Sequence, residues 1–177
     1  IPELDHHTLL FDEDFEGHAD SIYKNPRWPE KPSVYLSCTS RSDNSVAPEG
    51  SENVMALIPV APGLEDNEEI RKKYLDMVLM RMERYTQRSL REHIVFERSY
   101  AHRDFEQDYH AYKGNAYGLA NTLMQTAFLK PKVRSPRLKN LFYAGQLTVP
   151  GPGVPPAIIS GQIAANEIIN ASLKNKP

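Results

Sequence analysis

The residues best suited to chemistry lie in one stretch, 140–161: Asn-Leu-Phe-Tyr-Ala-Gly-Gln-Leu-Thr-Val-Pro-Gly-Pro-Gly-Val-Pro-Pro-Ala-Ile-Ile-Ser-Gly. The pattern is strand, glycine-rich loop, helix. Gly145 closes the strand, and Gly151 and Gly153 permit positive φ or close backbone approach. Pro155 and Pro156 pre-set helical φ where the helix starts. The spacing Gly151-x-Gly153-x-x-Pro156 mimics a dinucleotide fingerprint, but the chemistry fails. A pyrophosphate needs consecutive backbone N–H donors at a helix start, and Pro152, Pro155 and Pro156 have none. A proline also replaces the third glycine, which would allow close helix–strand packing. The remaining donors, chiefly Gly153, Val154 and Ala157, stand beside the positive end of a helix. That suits a single polarised carbonyl, such as a flavin ring oxygen, better than a diphosphate. An ordinary buried helix after a Gly-Pro turn explains the pattern equally well.

Other candidates are weaker. His102, Arg103 and Asp104 form the densest polar cluster and could supply a helper acid or base, but a structural salt bridge or surface cluster is the favoured reading. His6, His7 and His18 lack convincing ligand spacing, so no metal site is expected. No Gly-x-Ser-x-Gly elbow supports a hydrolase. Lys130, Lys132, Arg134 and Arg137 crowd one loop, and a solvated loop is preferred over a phosphate or headgroup patch. Met77, Met80 and Met82 read as core filling rather than as a ligand surface.

These residues need a scaffold. Short strands are expected at 7–11, 33–39, 53–60 (buried), 93–100 and 140–144. A helix is expected at 12–23, with Phe15, Ala19 and Ile22 on one side. The most secure helix starts at Asp66, three residues before Glu69, and runs to about Gln87 with Ile70, Tyr74, Met77, Val78 and Tyr85 at helical spacing. Residues 102–112 fit no element clearly. Helical spacing returns at 119–129 and 155–172, the latter apolar almost all round and so expected to be buried on several sides.

The chain has 177 residues, 40% of them apolar, enough for one core. Lys and Arg total 21 against 23 Asp and Glu, so no basic excess exists to neutralise nucleic-acid phosphates. The single Cys38 excludes an internal disulfide. Apolar runs fall well short of the ~20 residues of a membrane-spanning helix. The start at Ile1-Pro2-Glu3 is read as processing or as a piece of a longer protein.

Several motifs resemble one family. Gly114-Asn115-Ala116-Tyr117-Gly118-Leu119, the loop 130–139 and residues 140–160 together resemble the C-terminal signature of bacterial phytoene desaturases, within the flavin amine-oxidase-like superfamily. Ser33-Val34-Tyr35-Leu36-Ser37 and Ala47-Pro48-Glu49-Gly50 resemble that family's central sheet and its following turn. Asp104-Phe105 with Tyr109, Ala111 and Tyr112 fits as well, so the resemblance spans nearly the whole chain. The form Gln146-Leu-Thr-Val-Pro-Gly-Pro-Gly departs from the Thr-His-Pro-Gly type of many relatives, which leaves the substrate and the number of desaturations open.

The resemblance implies an FAD-dependent oxidoreductase acting on CH–CH bonds in carotenoid biosynthesis. Such an enzyme places conjugated double bonds in linear carotenoids and passes electrons to a quinone or oxygen. Matched residue by residue, it implies that Gly145 and Gln146 approach the ribityl and phosphate region of the flavin. Gly153, Val154, Pro155 and Pro156 would face the isoalloxazine ring, and Asn115, Tyr117 and Leu119 the substrate. It assigns no catalytic residue. It further implies a cytoplasmic protein in peripheral contact with the inner membrane face, with a homo-oligomer as an option and no nucleic acid as partner. The family's N-terminal Gly-rich βαβ unit is not among these residues, so this chain alone is expected to lack FAD and activity. Alternatives are a carotenoid isomerase, a retinol-saturase-like enzyme, a hydroxycarotenoid dehydrogenase, or a non-catalytic lipid- or carotenoid-binding module.

The expected fold is α+β: a mixed, largely antiparallel sheet with helices on one face, plus a C-terminal strand–helix returning to an absent FAD-binding domain. Residues 1–139 are read as a portion of the substrate-binding domain and 140–177 as that strand–helix. The isoleucines of the last helix are expected to pack back on the sheet or to be shared with a second copy.

Overall fold

The computed structural model describes residues 1–120, 122–126 and 129–174. The chain divides into two compact units, Ile1–Asn115 and Ala116–Pro177. It is α+β, with a three-stranded antiparallel sheet and four α-helices among the described residues.

In the first unit, β1 (His7–Leu10), β2 (Val34–Cys38) and β3 (Val54–Leu57) pair in that order. Leu10 faces Val34 across one ladder, and Tyr35 faces Leu57 across the other. Every pairing is antiparallel, so the expected parallel component is not found among the described residues. Strand alternation sorts β1: Thr8 and Leu10 point inward while Leu9 points out. β3 departs from its expectation, because it is a half-exposed edge strand rather than a buried one.

The core joins this sheet to the long helix α2 (Glu68–Thr86). Leu4, Leu10, Val34, Leu36 and Cys38 cluster with Val78, Met82 and Leu90. Tyr74, Val78, Met82 and Thr86 recur every fourth residue, which lines one helix face with buried side chains. Met82 fills the core as expected, but Met80 and Tyr85 are exposed. The helix start shifts by one residue. Asn67, not Asp66, is the cap, its side chain accepting the Ile70 N–H at 2.9 Å. Asp66 is drawn away by a stronger partner described below.

The helix α1 (Phe15–Tyr23) buries His18 and Ser21 and leaves Phe15 exposed. His18 is a structural tie. Its Nδ1 accepts the Ser33 N–H at 2.9 Å, which leaves the proton on Nε2 to meet the Pro59 carbonyl at 2.8 Å. His7 pairs with the Tyr35 hydroxyl and His6 with Ser42.

Three sequence expectations fail for one shared reason. Residues 93–100 form no strand and are exposed throughout, with Val95 and Phe96 most of all. Residues 140–144 form only a bridge, Arg134 to Phe142, supported by Tyr143 N–H donating to Val133 at 2.7 Å. Among the described residues of 119–129 only a 3-10 turn, Leu123–Gln125, is found, while Asn121, Ala127 and Phe128 lie outside them. Local pattern proposes such elements, but a strand needs a partner and an amphipathic helix needs a surface.

Residues 102–112, which the pattern did not resolve, contain α3 (His102–Tyr109). The last helix, α4 (Val154–Lys174), matches its expectation in extent but not in burial. Val154, Ile158, Ile159, Ile168, Ile169 and Leu173 are all exposed, so the expected burial of the helix on several sides is not found. No helix among the described residues is long and apolar enough to cross a membrane.

Candidate functional site

The candidate site is the turn that leads into α4. Gly145 begins it with φ +108°, and an added Cβ there would meet nothing within 4 Å. Its backbone is nonetheless fixed on both sides. The N–H donates to Ser160 Oγ at 2.7 Å, and Ser160 Oγ–H donates to the Ala157 carbonyl at 2.6 Å. The Gly145 carbonyl accepts Thr148 N–H at 3.2 Å and Thr148 Oγ1–H at 3.0 Å. Ser160 and Thr148 are both buried. A backbone in a region that favours glycine is thus held rigid while its open side stays free for a group to approach. The sequence marked Ser160 only as a small residue. Its signal was a hydroxyl within the apolar first turns of the helix.

Gly151 is buried at φ +139°, and Gly153 lies at φ +111°. The Gly153 carbonyl accepts Ala157 N–H at 2.9 Å, the first bond of α4. This removes Ala157 from the expected donors and leaves the amides of Gly153 and Val154 at the positive end of the helix. Val154 and Pro155 are exposed, while Pro156 and Gln146 are half-buried.

The segment expected to meet substrate touches this turn. A Cβ on Gly118 would stand 2.7 Å from Leu147 Cδ2 and 3.7 Å from Gln146 Cγ. Gly118 lies between Tyr117, which is exposed, and Leu119, which is half-buried. Tyr117, Leu119 and Gln146 therefore share one neighbourhood. Asn115 ends the first unit, where its side-chain amide donates to the Tyr112 carbonyl at 2.6 Å.

The polar cluster at 102–104 is a lock. Arg71 reaches both carboxylate oxygens of Asp66 at 2.7 Å and Asp104 at 2.7 Å. Asp66 also accepts Arg103 N–H at 2.9 Å, and Asp104 accepts Ala101 N–H at 2.8 Å to cap α3. Arg71 holds the Asp66 carboxyl below the ordinary carboxylate range despite burial. For Asp104 burial pushes upward, but the Ala101 N–H and Arg71 outweigh it and the carboxyl is also lowered. Paired carboxylates held below their ordinary range make poor general acids or bases near neutral pH. His102 is buried, with Nε2 at 2.8 Å from the Ala61 carbonyl and Trp28 edge-on at 5.6 Å. Gly114 presses on it, since an added Cβ would lie 2.5 Å from His102 Cα. The cluster joins α2 to α3, as the structural reading anticipated.

A shallow cavity of about 280 Å³ opens in the first unit, lined by Leu9, Leu10, Phe11 and Tyr85 with Asp12, Arg81 and Arg84. Arg81 is buried, donates to the Pro32 and Leu10 carbonyls, and pairs with Asp12. Among the described residues no cluster of His, Cys, Asp and Glu could hold a metal ion.

Comparison with known proteins identifies the family. The profile of the family described as flavin containing amine oxidoreductase matches residues 5–169. The carotenoid 3,4-desaturase of Haloarcula japonica is 44% identical over 169 residues, which cover 96% of this chain and 34% of that protein. The 4,4'-diapophytoene desaturase (4,4'-diaponeurosporene-forming) of Staphylococcus aureus strain Newman is 32% identical over 170 residues, covering 92% of this chain and 34% of that protein. The chain thus spans about a third of the length of these curated relatives.

Proposed function

The chain belongs to the flavin containing amine oxidoreductase family, as a phytoene-desaturase-like member, and from that premise we propose that it is the C-terminal part of an FAD-dependent carotenoid desaturase. The observation that carries the reading is the contact of Gly118 with Gln146 and Leu147, which gathers residues matched to substrate and to cofactor at one turn.

The residues at the turn fit a flavin. Open space over Gly145 accepts a close approach that a side chain would obstruct. The amides of Gly153 and Val154 and the positive end of α4 suit a ring carbonyl. Gly145, Gln146, Gly153, Val154, Pro155 and Pro156 would hold the cofactor, and Asn115, Tyr117 and Leu119 would face the substrate. Residues 140–177 would serve the cofactor domain and 1–139 a portion of the substrate domain. When bound, FAD supplies the hydride acceptor that a hydrocarbon without acidic protons requires. The protein's share is alignment and exclusion of water, for which apolar and backbone groups suffice. A quinone or oxygen as electron acceptor, and peripheral contact with the inner membrane face, follow from the same reading.

The test is to supply the full-length protein with linear carotenoids and separate the products by chromatography. New conjugated double bonds, seen as red-shifted absorption, are expected. Flavin-loaded protein that only isomerises these carotenoids, or leaves them unchanged, would overturn the proposal. The isolated 177-residue chain should purify without flavin absorbance. Stoichiometric flavin would refute the view that the remainder of the enzyme grips most of the cofactor.

A further inference from the structure

Residues 93–100 are exposed throughout, yet they are fixed at both ends. At one end the amides of Leu90 and Arg91 donate to Glu83 Oε1 at 2.9 and 3.2 Å, and Leu90 is seated in the core with Met82. The Arg91 side chain pairs with Asp76 and donates to its carbonyl at 3.0 Å. At the other end Ser99 Oγ accepts Arg71 Nη1 at 3.2 Å, and Asp104 accepts the Ala101 amide at 2.8 Å. Glu83, Asp76 and Arg71 all belong to α2. Glu83 and Arg71 stand about 18 Å apart along that helix, and residues 91–99 reach about 26 Å when fully extended. The segment therefore runs back along α2 with little slack to fold on itself.

The backbone between these ties is extended and bare. Ile94 (φ −74°, ψ 114°) and Ala101 (φ −142°, ψ −159°) both lie in the extended region. Arg98 stands over the Tyr100 ring at 5.8 Å, and a two-residue spacing shares one side of an extended chain. Among the described residues none of the amides from Val95 to Tyr100 finds an acceptor. Val95 is 95% exposed and Phe96 81%. Neighbours in an extended chain point to opposite sides, so one covering layer could not bury both. Apolar residues on both sides are the mark of a strand whose sheet is covered on two faces. Glu97 and Arg98 follow and set where that sheet meets water.

We propose that residues 94–98 are a docking strand that pairs with a strand edge from the part of the enzyme outside this chain. This rests on the reading of the chain as the C-terminal part of a longer enzyme. The chain spans 34% of the length of the relatives compared, so most of the polypeptide is available to supply that edge. Pairing ordinarily costs the entropy of ordering a free segment. A segment already stretched between two ties has lost part of that freedom beforehand, which favours pairing. The partner strand is one with β-branched or aromatic residues opposite Val95 and Phe96.

The test is hydrogen exchange on the full-length flavoprotein, read residue by residue. A strand paired on one side donates from every second amide. At least alternate amides among Val95–Arg98 should therefore exchange on the order of a hundredfold more slowly than unpaired backbone, and dilution should leave that protection unchanged. Val95→Pro and Phe96→Pro each remove one amide. At least one of them should lower the melting temperature of the full-length protein by about 5 °C, whereas an exposed loop would tolerate both. Unprotected amides throughout 95–98, or tolerance of both prolines, would overturn the proposal and leave the desaturase reading intact. Protection that vanishes on dilution as a dimer dissociates would assign the pairing to a second copy and overturn it as well. Protected amides in a full-length protein that forms no carotenoid product would uphold the docking strand while the desaturase reading fails.

Discussion

The α2–α3 lock and the turn before α4 hold their backbones by opposite means. At the lock, charged side chains are consumed by one another: Arg71, Asp66 and Asp104 close a network, and the carboxylates also take the amides of Arg103 and Ala101. Those three side chains are engaged with one another and with the backbone. At the turn, two neutral hydroxyls, Ser160 and Thr148, fix Gly145 by its N–H and carbonyl and leave its outer side open. Polar density alone is thus a poor guide to function. The denser cluster is spent on structure, and the sparser one keeps its capacity to bind.

The sharpest way to break this contrast is Arg71→Ala. It strands two carboxylates, one of them nearly inaccessible. Loss of a partner in a buried pair costs about 3–5 kcal/mol, so the melting temperature should fall by roughly 10 °C. An unchanged melting temperature would show that the lock is ornamental. Acid should act on the same network. Both carboxyls lie below their ordinary range when folded, so the unfolded chain binds more protons as pH falls. Their contribution is whole above the ordinary range near pH ~4 and is lost as pH drops through the lowered folded values. Denaturant titrations from neutral pH down to about 2.5 should show this loss, and Arg71→Ala should flatten it.

Ser160→Ala should cost less. The Gly145 amide loses its acceptor in a partly buried setting, about 1–2 kcal/mol by denaturant unfolding. In the full-length protein the same change should weaken flavin retention, which Arg71→Ala should leave unaltered in whatever protein stays folded. Equal effects on flavin would erase the distinction between the regions. Smallest of all should be Ile158→Gln in the 177-residue chain, within about 0.5 kcal/mol, because that side chain is 62% exposed. In the full-length protein the same change should destabilise by more than 1 kcal/mol if the rest of the enzyme covers α4.

The extent of α2 and α4 was legible in the sequence because helical spacing is local and long runs average out single exceptions. So was the argument against a pyrophosphate loop, since a proline lacks its N–H in any fold. The expected strand at 93–100 does not form, as Val95 and Phe96 have the right composition but no pairing edge. The start of α2 was misplaced by one residue because Asp66 and Asn67 cap equally well in isolation. Arg71, several residues onward, settles the choice by binding Asp66.

Chemistry that travels with a residue type was therefore determined by the sequence alone: the amides the turn does not have, the absence of an internal disulfide, and the family to which the motifs point. Relations between distant residues were decided only by tertiary structure. Ser160 holds Gly145 across 15 positions, Gly118 rests on Leu147, and Lys130 alone among four neighbouring cations reaches Gly151. The physical reason is burial. A charge or hydroxyl has the same chemistry wherever it stands in a string, but its partners, and hence its use, are chosen when water is removed around it.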